Sequence, residues 1–179
     1  MQPWFIATER FTSGSGDAWE KYVAWSGLRH LDEVVSLDPM LCPTLLPEIK
    51  DTYWPHIVNE DFRLNFFVDL DFLLKQVSGI RDRNLLCVCR NPASPSLPYK
   101  GEINFEFLGY DLVDVHGSAS ALSNCGGFPG VFANSELSPK GLLTSHDRAF
   151  QVQAELRAKH SEEHHADCHV WAISRAVAL

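Results

Sequence analysis

The stretch EINFEFLGYDLVDV, residues 102–115, alternates between apolar and polar side chains. In an extended chain, Ile103, Phe105 and Phe107 point to one side, and the acidic and amide side chains between them point to the other. This two-residue period predicts a β-strand with one face in contact with solvent. Gly109 interrupts the pattern and predicts a bulge or a bend before the strand continues to Val115.

Segments on both sides of this strand have the period of a strand or a helix. The apolar run LLCVC predicts a buried strand over residues 84–90, because it is short and prolines follow it. Further strands are predicted over residues 31–37, 62–68 and 168–177. Helices are predicted over residues 18–26, 69–77 and about 144–160, where apolar residues recur every three or four positions.

The first predicted helix carries an aromatic stripe. Trp19, Tyr22 and Trp25 follow one another at a spacing of three, so they lie on one side of the helix. We expect this side to pack against the rest of the protein, because a continuous apolar stripe is typical of a buried helix face. Gly27 suits the end of the helix.

The order of these elements predicts an α+β fold. Strands and helices are interspersed without a strict β–α–β rhythm, so we expect a mixed, mostly antiparallel sheet packed with two to four helices. A length of 179 residues fits one domain with one core, and no linker or repeat divides the chain. We therefore predict a single globular domain over residues 1–179.

The charge of the chain bears on its partners. The sequence has 15 lysines and arginines against 23 acidic residues, a net charge of −8. This excess of acid argues against a nucleic-acid surface and favours a basic protein as partner. No apolar run reaches the roughly 18 residues of a membrane span, and the amino-terminal residues lack the cationic region of an export signal. We expect no membrane association.

The cysteines indicate a reducing compartment. Their number is odd, and their spacing forms no disulfide framework. Free thiols in the cytoplasm, of the bacterial kind, are the simplest interpretation. The five positions are Cys42, Cys87, Cys89, Cys125 and Cys168.

Cys125 is the candidate nucleophile. It lies in the glycine-rich stretch of residues 117–130, where backbone N–H groups can stabilise an oxyanion. His116 or His146 is the candidate general base, because a thiol needs such a group to become reactive. The alternative is a tight turn that contains a buried thiol, since Asn-Cys-Gly-Gly matches no cysteine-protease signature.

A second group of residues suggests a metal site. Imidazole and thiolate side chains are zinc ligands, and His164, Cys168 and His160 lie close together in the sequence. Their spacing matches no established zinc motif, so a solvated polar turn is the alternative interpretation. The sequence contains no motif that specifies a cofactor.

Three classes of function follow. The first is a non-enzymatic protein-binding module, for example an immunity protein or antidote that masks a basic toxin or nuclease. The second is an enzyme that uses Cys125 or a metal bound at residues 160–169. The third is a small-molecule binding module with a tryptophan-lined pocket. The sequence favours the first, because no set of reactive residues has a spacing that requires chemistry.

Overall fold

The computed structural model describes residues 2–58, 63–95, 99 and 101–177. Six strands lie within them: β1 Trp4–Glu9, β2 Phe11–Thr12, β3 Glu33–Val34, β4 Arg83–Arg90, β5 Phe105–Asp114 and β6 Cys168–Ala176. The α-helices of the described residues are α1 Asp17–Ser26, α2 Leu70–Gln76 and α3 His146–Lys159. Short 3-10 helices cover Ser13–Ser15, Asp51–His56, Asn134–Glu136 and His164–Ala166.

The central sheet has the strand order β1-β4-β6-β5, and each neighbouring pair in it is antiparallel. Strands β2 and β3 form a separate two-stranded antiparallel sheet. The predicted α+β class, with an antiparallel sheet and two to four helices, is confirmed.

The bulge predicted at Gly109 is also confirmed. The register between β5 and β6 shifts between Phe107 and Gly109. Gly109 has a φ of 147°, a backbone conformation that residues with a Cβ atom rarely adopt. A Cβ atom at this position would lie 2.6 Å from the carbonyl oxygen of Leu143 and 2.8 Å from the Cβ of Leu142. The glycine therefore permits both the bend and the close approach of a loop.

The two faces of the central sheet are covered by different kinds of structure. On one face, α2 and α3 bury apolar side chains against the sheet, including Leu73, Val152 and Leu156. On the other face, Trp171 and Ile173 are buried beneath loops. The buried loop residues of that cover are Val35, Leu37, Leu64, Phe66 and Leu142.

Loops also form backbone hydrogen bonds with both outer strands of the sheet. On β1, Phe5 and Phe67 exchange two backbone hydrogen bonds of 2.8 Å. On β5, Tyr110 and Leu143 exchange bonds of 2.7 and 3.0 Å. Both free edges are thus partly occupied by the chain itself.

Two predicted strands are wrong in extent. The strand expected over residues 31–37 is reduced to the two residues of β3. Of the strand expected over residues 62–68, Phe62 lies outside the described residues, and Phe67 forms only isolated bridges. Phe66 and Phe67 are buried in different apolar clusters. The segment therefore wraps around the edge of the sheet instead of extending a ladder.

The helices begin and end close to the predicted positions. The Ser145 hydroxyl caps α3 by accepting a hydrogen bond from the backbone N–H of Arg148 at 3.3 Å. Gly27 ends α1 in the left-handed conformation with a φ of 71°. Among the described residues, no helix has both the length and the apolar character needed to cross a membrane.

Replacement of Gly109 by alanine tests the bend in β5. We expect Gly109→Ala to lower the free energy of unfolding by about 3 kcal/mol, because of the unfavourable φ and the contact with a backbone carbonyl. Gly14→Ala is the control, because the atom nearest to its added Cβ would be the Thr12 hydroxyl oxygen at 3.4 Å. Urea unfolding of both variants is the measurement, and equal stabilities would contradict the assigned role of Gly109.

Candidate functional site

The glycine-rich loop of residues 117–130 lies beside three buried aspartates. Asp111 and Asp114 belong to β5, and Asp38 lies in the loop that follows β3. All three side chains are almost completely shielded from solvent. A buried carboxylate is costly unless hydrogen bonds satisfy it, so the partners of these residues define the local structure.

Asp111 joins two loops to the sheet. Its Oδ2 accepts hydrogen bonds from the Ser36 hydroxyl at 2.6 Å and from the Leu37 N–H at 3.1 Å. Its Oδ1 accepts from the Ser120 hydroxyl at 2.6 Å and from the Leu112 N–H at 2.9 Å. Burial raises the pKa of Asp111, and the bonds from Ser120 and Ser36 oppose this rise.

Asp38 connects the same two loops directly. Its Oδ2 accepts hydrogen bonds from the Ser120 N–H at 2.9 Å and from the Asn124 side-chain amide at 2.7 Å. Its Oδ1 accepts a bond of 2.8 Å from the Met40 N–H. The carboxylate therefore holds the backbone near Met40 and the turn at Asn124 in a fixed relation.

Asp114 shapes the beginning of the glycine-rich loop. Its carboxylate accepts hydrogen bonds from the hydroxyl of Ser118 at 2.6 Å and from the backbone N–H of His116, Ser118 and Ala119. Burial acts to raise the pKa of Asp114, but the bonds from Ser118 and the backbone outweigh it and lower that pKa. The folded state therefore favours the ionised form of Asp114.

Cys125 lies in this loop, in surroundings that disfavour its thiolate form. Its side chain is half-buried, and its thiol lies 2.7 Å from the carbonyl oxygen of Ala121, to which it donates. Burial raises the thiol pKa to about 11, and the Glu163 carboxylate adds to this rise. A nucleophilic cysteine needs the opposite shift, because the thiolate is the reactive form. The role of Cys125 as a nucleophile therefore stays a prediction.

The two histidines proposed as bases form their hydrogen bonds with residues other than Cys125. The backbone of His116 lies between Asp114 and Arg63, to which it is hydrogen-bonded. The ring of His146 lies 2.9 Å from the Pro92 carbonyl oxygen and 3.1 Å from the Asp147 carboxylate. Within the described part of the chain, neither ring has a hydrogen bond or ring contact with Cys125. Their role as bases stays a prediction without geometric support.

The residues proposed as metal ligands are spread over several environments. Cys168 is buried at the start of β6, where burial raises its thiol pKa to about 12. The His160 ring packs against Phe128 at 4.9 Å, and the His164 ring lies 3.8 Å from that of His165. Over residues 2–58, 63–95, 99 and 101–177, no three His, Cys, Asp or Glu side chains form a group that could hold a metal. Metal binding also stays a prediction.

Two exposed large apolar side chains lie on segments that contact the glycine-rich loop. Trp25 is 56% exposed and Met40 is 77% exposed. The Trp25 ring lies 6.3 Å from that of Tyr22, whose hydroxyl donates to the Ser123 carbonyl oxygen at 2.9 Å. The Met40 sulfur lies 3.9 Å from the Asn124 side-chain amide. We call Trp25, Met40 and residues 123–127 the Trp25–Met40 surface.

This arrangement corrects the prediction for the aromatic stripe of α1. Trp19 and Tyr22 are buried as expected, but Trp25 is in large part open to solvent. Helix α1 ends at Ser26, one residue after Trp25. The loop contacts Tyr22 through the Ser123 carbonyl oxygen and leaves Trp25 exposed. A depression near Ser26 and Gly127 has a volume of only about 10 Å³. This depression is too small for an organic ligand.

The low pKa of Asp114 makes stability depend on pH. A carboxyl whose pKa is lowered by folding stabilises the protein above its unfolded pKa, and this contribution is lost as the pH falls through the folded pKa. We expect Asp114→Asn to cost about 3 kcal/mol at pH 7, with a deficit that shrinks below about pH 4. Urea unfolding at several pH values measures the difference in free energy of unfolding between the variant and the wild type. Asp32→Asn, at an exposed position, is the control, and a deficit independent of pH would contradict the argument.

The raised pKa of Cys125 predicts its reactivity. With a thiol pKa of about 11, the rate of alkylation by iodoacetamide should rise about tenfold for each pH unit between about pH 7 and 10. Intact-mass spectrometry follows the modification, and Cys125→Ser identifies its position, because the other four cysteines are buried. A rate that is already at its plateau at neutral pH would show an activated thiolate and restore the enzyme hypothesis.

Comparisons with known proteins identify no relative of this chain. No protein-family model matches it, and neither a curated protein nor a solved structure matches it significantly. The site is therefore interpreted from its own geometry: a loop clamped by buried aspartates, with Trp25 and Met40 exposed beside it.

Proposed function

We propose that this chain is a non-enzymatic protein-binding module that captures a basic protein on the Trp25–Met40 surface, as an immunity protein or antidote does. The observation that carries this proposal is the exposure of Trp25 and Met40 beside a loop whose backbone is fixed by buried carboxylates. We further infer a cytoplasmic setting in a bacterium; the five free cysteines support the reducing compartment.

The exposed side chains are of the types that dominate binding energy. Tryptophan is enriched among the few interface residues whose truncation costs most, and methionine adapts to irregular partner surfaces. Leaving Trp25 and Met40 in water forgoes the free energy that their burial would release. A partner that covers both side chains recovers this free energy.

The loop between these side chains is already ordered. The Ser120 N–H and the Asn124 amide donate to Asp38, and the Tyr22 hydroxyl donates to Ser123. Binding to a preorganised loop loses less conformational entropy than binding to a mobile one. The hydrogen bonds of Asp38 and Asp111 thus support affinity even though neither carboxylate is accessible to a partner.

The charge near this surface favours a basic partner. The exposed Glu163 acts on the thiol of Cys125, whose pKa is raised first by burial and then by this carboxylate. The buried carboxylate of Asp114, held ionised by its hydrogen bonds, adds negative charge at the start of the glycine-rich loop. Together with the net charge of −8, these groups speed the approach of a positively charged protein.

Alanine variants of the exposed side chains test the proposed function. The wild-type protein serves as bait in a lysate of the source organism, and the affinity of the recovered basic protein is then measured for each variant. We expect Trp25→Ala and Met40→Ala to weaken binding at least about tenfold, a loss of about 1.4 kcal/mol. Trp54→Ala is the matched control, because Trp54 is 57% exposed in another part of the fold.

Salt dependence gives a second readout. We expect the affinity to fall steeply when the ionic strength is raised to about 0.5 M, because salt screens charge attraction. Trp25→Ala binding as tightly as wild type would contradict the assigned surface. A partner that is acidic, or whose affinity is insensitive to salt, would contradict the assigned chemistry.

A further inference from the structure

A cavity of about 730 Å³ opens where the connection from α2 to β4 meets the end of β6. It lies apart from the Trp25–Met40 surface and shares no residue with it. Its volume is within the range of small-molecule sites, about 300–1,000 Å³. The lining residues that matter here are Ile80, Arg81, Arg83, Leu85, Ala176 and Val177.

Two arginines in this cavity have uncompensated charges. Within the described residues, neither Arg81 nor Arg83 forms an ion pair or a side-chain hydrogen bond, and the Nε of Arg83 is buried without a partner. Glu9 faces Arg83 across the β1–β4 ladder but forms no ion pair with it. Asp82, which lies between the two arginines, directs its carboxylate to Arg10 at 3.3 Å.

Several other arginines of the described residues are neutralised by carboxylates. Arg10 and Arg175 both bind the buried carboxylate of Glu33, at 2.8 and 2.7 Å. Arg148 binds Glu136 at 2.6 Å. In a protein with an excess of acid, two adjacent unpaired guanidinium groups at one cavity indicate a site for an external anion.

Besides the two arginines, Gly79 and the exposed Asp82, the cavity wall is apolar. Leu85 is buried at its base, while Ile80 and Val177 are 37% and 56% exposed. An inorganic anion would leave these side chains in water, whereas a ligand with an apolar body would cover them. The cavity therefore fits an amphipathic anion.

The overall charge selects the kind of anion. A net charge of −8 repels a dianion more strongly than a monoanion. The planar guanidinium groups match a carboxylate through two parallel hydrogen bonds. We propose that this cavity binds a small monocarboxylate with an aliphatic or aromatic body, with Arg81 and Arg83 holding the carboxylate and Ile80, Leu85 and Val177 contacting the body.

Titration of the isotope-labelled protein with hexanoate, followed by NMR, tests the site. We expect hexanoate to shift the backbone amides of residues 79–85 and 176–177, with 1-hexanol and inorganic phosphate at least about tenfold weaker. Arg83→Gln and Arg81→Gln should each weaken hexanoate binding at least about tenfold. Arg29→Gln is the matched control, because Arg29 is exposed and does not line the cavity.

Each alternative result overturns the proposal. Equal binding of hexanol and hexanoate would show an apolar cleft without an anion site, and tighter binding of phosphate would exclude the carboxylate class. Unchanged hexanoate affinity in Arg81→Gln would also contradict the proposal. Because Arg81 is exposed, this variant can be tested even if Arg83→Gln fails to fold. Trp25→Ala should leave hexanoate binding unchanged, which separates this site from the proposed protein-binding function.

Discussion

The buried carboxylate of Asp111 is the constraint on which this end of the molecule depends. A carboxyl group in the interior is tolerated only when hydrogen bonds satisfy it. The donors come from β5 itself and from two loops, through Ser36, Leu37 and Ser120. If either loop moved away, the carboxylate would lose part of its compensation. The loops are therefore held against the sheet by the cost of leaving Asp111 unsatisfied, as well as by apolar packing.

This constraint has a reason in the architecture. Within the described residues, helices cover one face of the sheet, and loops, whose backbone groups need partners, cover much of the other. Asp111 supplies an acceptor to the Leu37 N–H of this loop cover, and Asp38 and Asp114 supply acceptors to the glycine-rich loop, which packs in the same cluster as α3. The same arrangement fixes the backbone between Trp25 and Met40, so an architectural requirement and a candidate recognition surface coincide.

Local patterns predicted the elements, whereas the site depends on contacts between distant residues. The strands around residues 84–90, 102–115 and 168–177 were recognisable from their apolar runs or alternation, but the WFIATE segment that forms β1 shows neither pattern clearly. The glycine-rich loop was recognisable from Gly126 and Gly127, yet Asp38 and Ser120, which clamp it, are 82 residues apart. An aspartate within an apolar strand was the available signal. The exposure of Trp25 had no signal in the sequence, because helical spacing cannot show where a covering loop ends.

The bonds that loops make to β1 and β5 restrict how any partner can be recognised. An exposed strand edge offers a row of unpaired backbone groups to which an extended peptide can add as a further strand. Here Phe67 and Leu143 already occupy part of those two edges. A partner therefore gains little from backbone pairing at these positions. Edge-to-edge strand pairing between copies of this chain is hindered for the same reason. Discrimination among ligands must then come from side-chain shape and charge.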